Sequence, residues 1–233
     1  MNYALRAWWG LPQVALTWLV AGALLLATPG LRISIDGLLR PQHPTGSFET
    51  ALPEDAPPPA PAFVLQASNA KEREQAVTCL AQAVYFEAGD QPVEGQRAIA
   101  QVVLNRVRDP NFPSSICGVV YERHGRARRC QFSFVCDGSL RRRPPTEGEM
   151  REARGIADAA VNGYVVQEVG TATHYHATYV DPWWKHSLVQ ITQIGDHIFY
   201  RWPGKAGLPG ALHAPYGGGE LKFASLASLG KRS

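Results

Sequence analysis

The sequence predicts an α+β domain in which several helices come first and a small antiparallel sheet follows. Two observations support this fold class. In the segments 69–88 and 93–108, apolar residues recur at three- and four-residue spacing, which is the period of amphipathic helices. After residue 172 the pattern changes to alternation, and Gly195-Asp196 offers a two-residue hairpin turn between two alternating segments.

Three helices are expected, each with its own start and stop signals. Asn69 followed three residues later by Glu72 predicts the start of the first helix, which runs to about Ala88. Gly89 to Pro92 breaks it. The second helix covers about 93–108 and stops at Asp109-Pro110, and the third runs from Thr146 and Glu149 to the Asn162-Gly163 pair.

The strands follow. The segment "ATHYHATYV" at 172–180 predicts a strand with His174 and His176 on one face and Tyr175 on the other. The segment "LVQITQIGDHIFYRW" at 188–202 predicts a hairpin. The folded domain is therefore expected over residues 68–202.

The flanking segments have different compositions. Residues 1–30 contain Arg6 followed by an uncharged apolar run, which predicts an export signal peptide or a membrane anchor. Residues 31–67 are Pro-rich and predict an extended linker, and residues 203–233 predict a flexible tail. Either fate of the first segment places the domain outside the cytoplasm, in the periplasm or cell envelope, with the membrane as a partner if the segment is retained.

Charge says little about partners. The net charge of +3 and the pI near 8.7 are only mildly basic. Binding to nucleic acid usually requires a denser basic patch. We expect a monomer that does not bind nucleic acid.

The four cysteines, Cys79, Cys117, Cys130 and Cys136, suit an exported protein with two disulfides. Three connectivities are possible, and we favour Cys79 with Cys117 and Cys130 with Cys136. A zinc site is the alternative, but no C-x-x-C pair is present.

Glu87 is the first candidate for chemistry. It follows Leu80, Ala83 and Val84 at helical spacing, so its side chain points where the apolar ones point. Burial penalises the charged form of a carboxyl group and raises its pKa, which suits a general acid. The alternative is a structural carboxylate paired with Arg97 or Arg106.

Six motifs, in order, resemble the cell wall hydrolases of the SleB type over residues 76 to 202: "CLAQAVYFEA", "PVEGQRAIAQVVLNRV", "FPSSICGVVY", "CQFSFVCDG", "ATHYHATYVDPWW" and "QIGDHIFYRW". The resemblance implies a lysozyme-like or lytic-transglycosylase-like helical core that acts on peptidoglycan glycan strands without a cofactor. It implies that Glu87 is catalytic. Where the family commonly has E-A-R-G-E, this chain has Glu87-Ala88-Gly89-Asp90-Gln91, without that arginine and second acid.

The resemblance favours a lytic reaction, in which Glu87 acts as acid and then as base and the product is a 1,6-anhydro sugar. Hydrolysis of the same bond would need a second carboxylate. Asp90 is the first candidate for it, ahead of Asp137 and Asp181.

Further side chains are candidates for substrate binding. Gln131 and Ser133 alternate along a segment expected to be extended, with Phe132 and Phe134 turned to the core. Among the aromatic side chains, which can stack on sugar rings, at most two are expected to line the groove, and His176 is expected near it. The aromatic candidates are Tyr175, Tyr179, Trp183 and Trp184.

Two other functions remain open. His174 and His176 on one strand face could bind zinc with Asp181, His186 or His197, which would make the protein a peptidoglycan peptidase. No H-E-x-x-H motif is present, however, and the ordered resemblance favours Glu87. An envelope protein that binds glycan without cleaving it is the third possibility.

Overall fold

The computed structural model describes residues 59–124 and 129–227. The expected signal or anchor at 1–30 and most of the expected linker lie outside these ranges. Within the described part of the chain, no helix is long and apolar enough to cross a membrane.

The helices form the larger layer, and the three expected ones are confirmed. Helix α1 (Ala70–Ala88) is capped by Asn69, whose side-chain oxygen accepts from the amides of Lys71 and Glu72. Helix α5 begins with the expected capping box of Thr146 and Glu149. In chain order, the elements that precede the sheet are α1, α2 (Val93–Arg108), α3 (Ile116–Val120), the short strands β1 (Arg123–His124) and β2 (Arg129–Cys130), α4 (Ser139–Arg142) and α5 (Glu147–Val161).

The sheet contains β3 (His174–Ala177), β4 (Val189–Ile194) and β5 (His197–Arg201) in the order β3-β5-β4, with antiparallel pairing. Gly195 in the β4–β5 turn has φ of 57°, a left-handed conformation that favours glycine. The α+β class with a small antiparallel sheet is confirmed.

Helix α1 is the centre of the fold rather than a surface helix with one buried stripe. Every residue from Ala76 to Val84 is buried, including Gln82. Helices α2, α3, α5 and the C-terminal segment pack around it. A helix with small or apolar residues on all sides is typical of such a buried position.

The sheet packs against α2 through its inner face. Phe199 of β5 is fully buried with Ile99 and Val102 of α2. Residues directly paired across strands point to the same face, so Tyr175, paired with Phe199, also points inward. This packing brings β3 towards the C-terminal end of α1.

The two favoured disulfides are present. Cys79 of α1 is bonded to Cys117 of α3, and Cys130 is bonded to Cys136. The first bond ties α3 to the central helix.

The expectation of a flexible tail at 203–233 is corrected for residues 203–227. This segment forms short 3₁₀ turns and helix α6 (Ala224–Ala227), which pack on α1 and α3. The buried Gln82 side chain donates to the carbonyl oxygen of Ala227 at 2.7 Å, and Glu220 is fully buried. The segment is held by a few buried contacts, such as those of Glu220 and Ala227, and not by a regular apolar pattern. Its composition therefore predicted a flexible tail.

The linker boundary at residue 67 is also corrected. Phe63 and Leu65 belong to the core, and the Leu65 amide donates to the Val161 carbonyl oxygen at 2.9 Å. The folded unit therefore includes at least residues 60–67, because these apolar side chains are buried against α5.

Candidate active site

Glu87 lies in the last turn of α1, where the helix leaves the core. It lines a cleft of about 510 Å³, which we call the Glu87 cleft. The segment after β2 and the inner edge of the sheet form the other walls. Side chains lining this cleft include Asp90, Gln91, Ser133, Asp137, Arg143, Glu149, Tyr179 and His197.

Tyr175 holds the Glu87 carboxyl group from behind. Its hydroxyl donates a hydrogen bond to Glu87 Oε2 at 2.9 Å. Tyr175 does not line the Glu87 cleft itself. The Tyr175 hydroxyl is therefore placed to orient the Glu87 carboxyl group, whereas its ring was expected to stack on a sugar.

Arg106 supplies a buried positive charge near this pair. The side chain is almost fully buried, and its Nε donates to the Thr173 carbonyl oxygen at 2.7 Å. With the Gln131 amide oriented so that its oxygen faces the guanidinium, this oxygen accepts from Nη1 at 3.0 Å and Nη2 at 3.2 Å. Gln131 thus holds Arg106 and does not line the Glu87 cleft, contrary to its expected role in binding sugar.

The pKa of Glu87 is raised above its ordinary value, chiefly because burial penalises the carboxylate. The Tyr175 hydrogen bond and the positive charge of Arg106 act in the opposite direction, and the negative charge of Asp137 raises the pKa slightly. Among the described residues, neither Arg97 nor Arg106 forms an ion pair with Glu87. The geometry therefore does not support the alternative that Glu87 is a structural glutamate in a salt bridge.

His197 forms part of the cleft wall and places a largely buried imidazole ring there. Its ring packs edge-on against Tyr175, with centroids 5.2 Å apart, and its Nδ1 is buried without a hydrogen-bond partner in the described chain. Burial lowers its pKa.

Two of the three candidates for a second carboxylate lie in the cleft. Asp90 and Asp137 both line it, whereas Asp181 lies on the other side of the sheet in an ion pair with Lys185. Asp137 accepts from the Ser139 amide at 2.7 Å, and hydrogen bonding to Ser139 lowers its pKa. The pKa of Asp137 is therefore lower than that of Glu87.

The remaining predicted binding residues separate into two groups. Ser133 and Tyr179 line the Glu87 cleft, whereas His176 and Trp183 do not. Ser133 lies in a 3₁₀ turn (Ser133–Val135) rather than in the expected extended segment, although Phe132 and Phe134 are buried as expected. The Cys130–Cys136 disulfide closes this turn.

His174 and His176 share the outer face of the sheet, as expected, but their nitrogens are engaged. His176 Nδ1 donates to the Ala177 carbonyl oxygen, and the Tyr200 hydroxyl donates to Nε2, both at 2.9 Å. His174 lies among Phe112, Trp184 and Trp202, and burial lowers its pKa to about 4. In the described ranges no three His, Cys, Asp or Glu side chains form a group that could hold a metal ion.

Sequence reasoning missed Arg143 and Glu149 at the cleft and considered Arg106 only as a possible ion-pair partner. Arg106 could have been placed, because it follows Val103 by three residues on the inward stripe of α2. No local signal points Arg143 or Glu149 towards the cleft.

Comparison with known proteins identifies the class. A model of the Cell Wall Hydrolase family matches residues 90–200, a range that begins just after Glu87. The spore cortex-lytic enzyme of Bacillus subtilis (strain 168) is 39% identical over 124 residues, which are 53% of this chain and 36% of that protein. The corresponding enzyme of Halalkalibacterium halodurans is 36% identical over 124 residues, 53% of this chain and 34% of that protein. Residues 90–200 of this chain are therefore similar to the cell wall hydrolase family.

Two solved structures are also similar. The catalytic domain of the Bacillus cereus SleB protein is 30% identical, with a TM-score of 0.47, over 59% of this chain and 95% of that domain. The catalytic domain of the germination-specific lytic transglycosylase SleB from Bacillus anthracis is 32% identical, with a TM-score of 0.45, over 55% and 95%. The chain matches only about a third of the length of the curated relatives above.

Proposed function

We propose that this protein cleaves the glycan strands of peptidoglycan between N-acetylmuramic acid and N-acetylglucosamine, with Glu87 as the catalytic acid and base. One observation carries the proposal: the Glu87 carboxyl group has a raised pKa, a single oriented hydrogen bond from Tyr175, and an open cleft beside it. The similarity of residues 90–200 to the cell wall hydrolase family supports the substrate class.

The first step requires the protonated form of Glu87. Its O–H donates the proton to the glycosidic oxygen, and the C1–O bond breaks as positive charge develops at C1. A group with a pKa closer to neutrality keeps this proton at the pH of the reaction. Burial at the end of α1 provides that condition.

The second step uses the carboxylate that remains. The 6-hydroxyl of the same muramic acid attacks C1, Glu87 accepts its proton, and a 1,6-anhydro ring closes. The leaving sugar has gained the first proton, and Glu87 is protonated again. One carboxylate is sufficient for this lytic reaction, and the buried charge of Arg106 and the Tyr175 hydroxyl stabilise it while it is ionised.

Hydrolysis is the second candidate, because Asp137 lies in the same cleft and its pKa is lowered by hydrogen bonding to Ser139. A hydrolytic enzyme uses a second carboxylate to activate water or to form a covalent intermediate. The product distinguishes the two reactions, since hydrolysis leaves a reducing end and the lytic reaction leaves an anhydro end.

The walls of the cleft can bind the substrate with neutral groups. His197 and Ser133, which line the cleft, can hydrogen-bond to the acetamido group or to a sugar hydroxyl. In ligand pockets such polar groups orient the ligand, while apolar side chains contact most of its surface. We propose that the protein acts in the cell envelope, in general wall remodelling. The names of relatives that refer to the spore cortex do not establish when the cell uses this protein.

The test is mass spectrometry of muropeptides released from purified sacculi by the full chain. We expect 1,6-anhydro products, in amounts insensitive to EDTA, and their loss in Glu87→Gln. Reducing ends would indicate hydrolysis, released peptides a peptidase, and binding without any product a glycan-binding protein. Full activity of Glu87→Gln would refute the role of Glu87.

A further inference from the structure

The outer face of the sheet carries a second cavity, of about 600 Å³, which we call the outer cavity. His176 pairs with Ile198, and His174 pairs with Tyr200, so these side chains lie on the face opposite Tyr175 and Phe199. The connection between β3 and β4 forms the other wall, with Tyr179, Lys185 and His186. None of the steps at Glu87 uses this cavity.

Tyr179 lines both the Glu87 cleft and the outer cavity. Tyr179, which lies two residues after β3, is 86% exposed although it is a large aromatic residue. The two cavities therefore adjoin at one exposed ring, which is a common feature of surfaces that bind a ligand. Trp183 is comparably exposed, at 84%, but lines neither cavity.

The outer cavity combines the exposed ring of Tyr179 with hydrogen-bonding side chains, whereas the Tyr200 and His176 rings that also line it are buried. The Tyr200 ring stacks on His176, with centroids 5.3 Å apart and planes at 22°. Gln190 is exposed on the same face, and Lys185 is neutralised by its ion pair with Asp181. An exposed ring with neutral polar groups beside it suits the apolar and hydroxyl faces of a pyranose better than it suits a strongly charged ligand.

We propose that the outer cavity binds further sugar units of the glycan strand whose scissile bond lies at Glu87, with Tyr179 guiding the strand from one cavity to the other. This inference rests on the proposed function. A polymer substrate offers binding energy far from the bond that reacts, and an enzyme can use that energy to hold the reacting unit in place. The enzyme should therefore prefer long strands.

The experiment compares peptide-free glycan strands, sorted by length, as substrates of the full chain. The readout is kcat/KM on long strands divided by kcat/KM on a tetrasaccharide. We expect Tyr179→Ala to lower this ratio about two- to tenfold, the range for loss of one aromatic contact. Gln190→Ala should lower it less, and the matched control Trp183→Ala should keep the wild-type ratio.

An unchanged ratio in both Tyr179→Ala and Gln190→Ala would overturn the proposal, and so would a loss confined to peptide-bearing strands. Failure of the proposed function has a different signature. In that case the wild type releases no sugar product from strands of either length. Calorimetric affinity of Glu87→Gln for long and short strands, with and without Tyr179→Ala, then tests the outer cavity without cleavage.

Discussion

Glu87, which is half-buried, and Glu220, which is fully buried, differ in their hydrogen-bond donors and in what lies beside them. Glu220 accepts from the amides of Ile116 and Cys117 at 2.8 and 2.7 Å and from the Tyr216 hydroxyl at 2.7 Å. Glu87 accepts from Tyr175 and faces a cleft. Burial raises the pKa of both carboxyl groups.

The comparison teaches that a raised pKa does not identify a catalytic acid. Glu220 is fully buried and its oxygens are occupied, so no substrate atom can reach it. It holds the C-terminal segment on α3. Glu87 has an oxygen left for a substrate and space for a sugar beside it. Accessibility and unused hydrogen-bonding capacity separate the two roles.

The largest expected effect is on catalysis. Glu87→Gln should lower the rate of product release by about 10² to 10⁴, because the amide cannot transfer a proton to the leaving oxygen. The rate is measured by quantifying released muropeptides. Glu220→Gln is the matched control and should keep near wild-type activity per folded molecule. A loss below tenfold in Glu87→Gln would point to another acid.

The second effect is on stability and falls on Glu220. In Glu220→Gln the amide NH₂ replaces one oxygen and meets a backbone N–H of α3, which loses its acceptor. Such a loss typically costs about 1–3 kcal/mol in the free energy of unfolding. Denaturant titration measures it at neutral pH. Unchanged stability would show that the C-terminal segment is not held through this carboxylate.

The third change tests the hydrogen bond that orients Glu87. Tyr175→Phe removes a donor that favours the carboxylate, so the pKa of Glu87 should rise further. We expect activity about tenfold lower, the size of one net hydrogen bond, and the alkaline limb of the pH–rate profile moved to higher pH. A profile that does not move would mean that Tyr175 affects packing only.

The smallest effect is the pH dependence of stability. Because the pKa of Glu87 is raised in the folded state, its contribution is most favourable below the unfolded pKa of about 4.3. That contribution is lost as the pH rises through the folded pKa. Glu87→Gln does not titrate, so it should be more stable than the wild type at neutral pH. Thermal unfolding across pH measures this gain, which should vanish in acid.

Local signals accounted for most of the secondary structure. The caps at Asn69 and Thr146 and the turn at Gly195-Asp196 act over three or four residues, so they can be read directly from the chain. The same reasoning failed for residues 203–227. Their attachment depends on Glu220 and Ala227 reaching α3 and α1 across more than 100 residues of chain.

The site was only partly predictable for the same reason. The helical period placed Glu87 with the apolar side chains, and the ordered motifs indicated the family. The period could not show that Gln131 faces Arg106, that Tyr175 bonds Glu87 from a residue 88 positions away, or that the face carrying His176 is the one turned away from Glu87. Each of these depends on how β3 and the Cys130–Cys136 turn dock on α1 and α2.

The sequence by itself determined the elements, their order and the position of one acid at a helix end, because these depend on near neighbours along the chain. Only the tertiary structure decided which of the buried carboxyl groups meets an open cleft and which is enclosed. Desolvation and hydrogen bonding are set by atoms that packing brings together from distant parts of the chain, and a local pattern does not contain them.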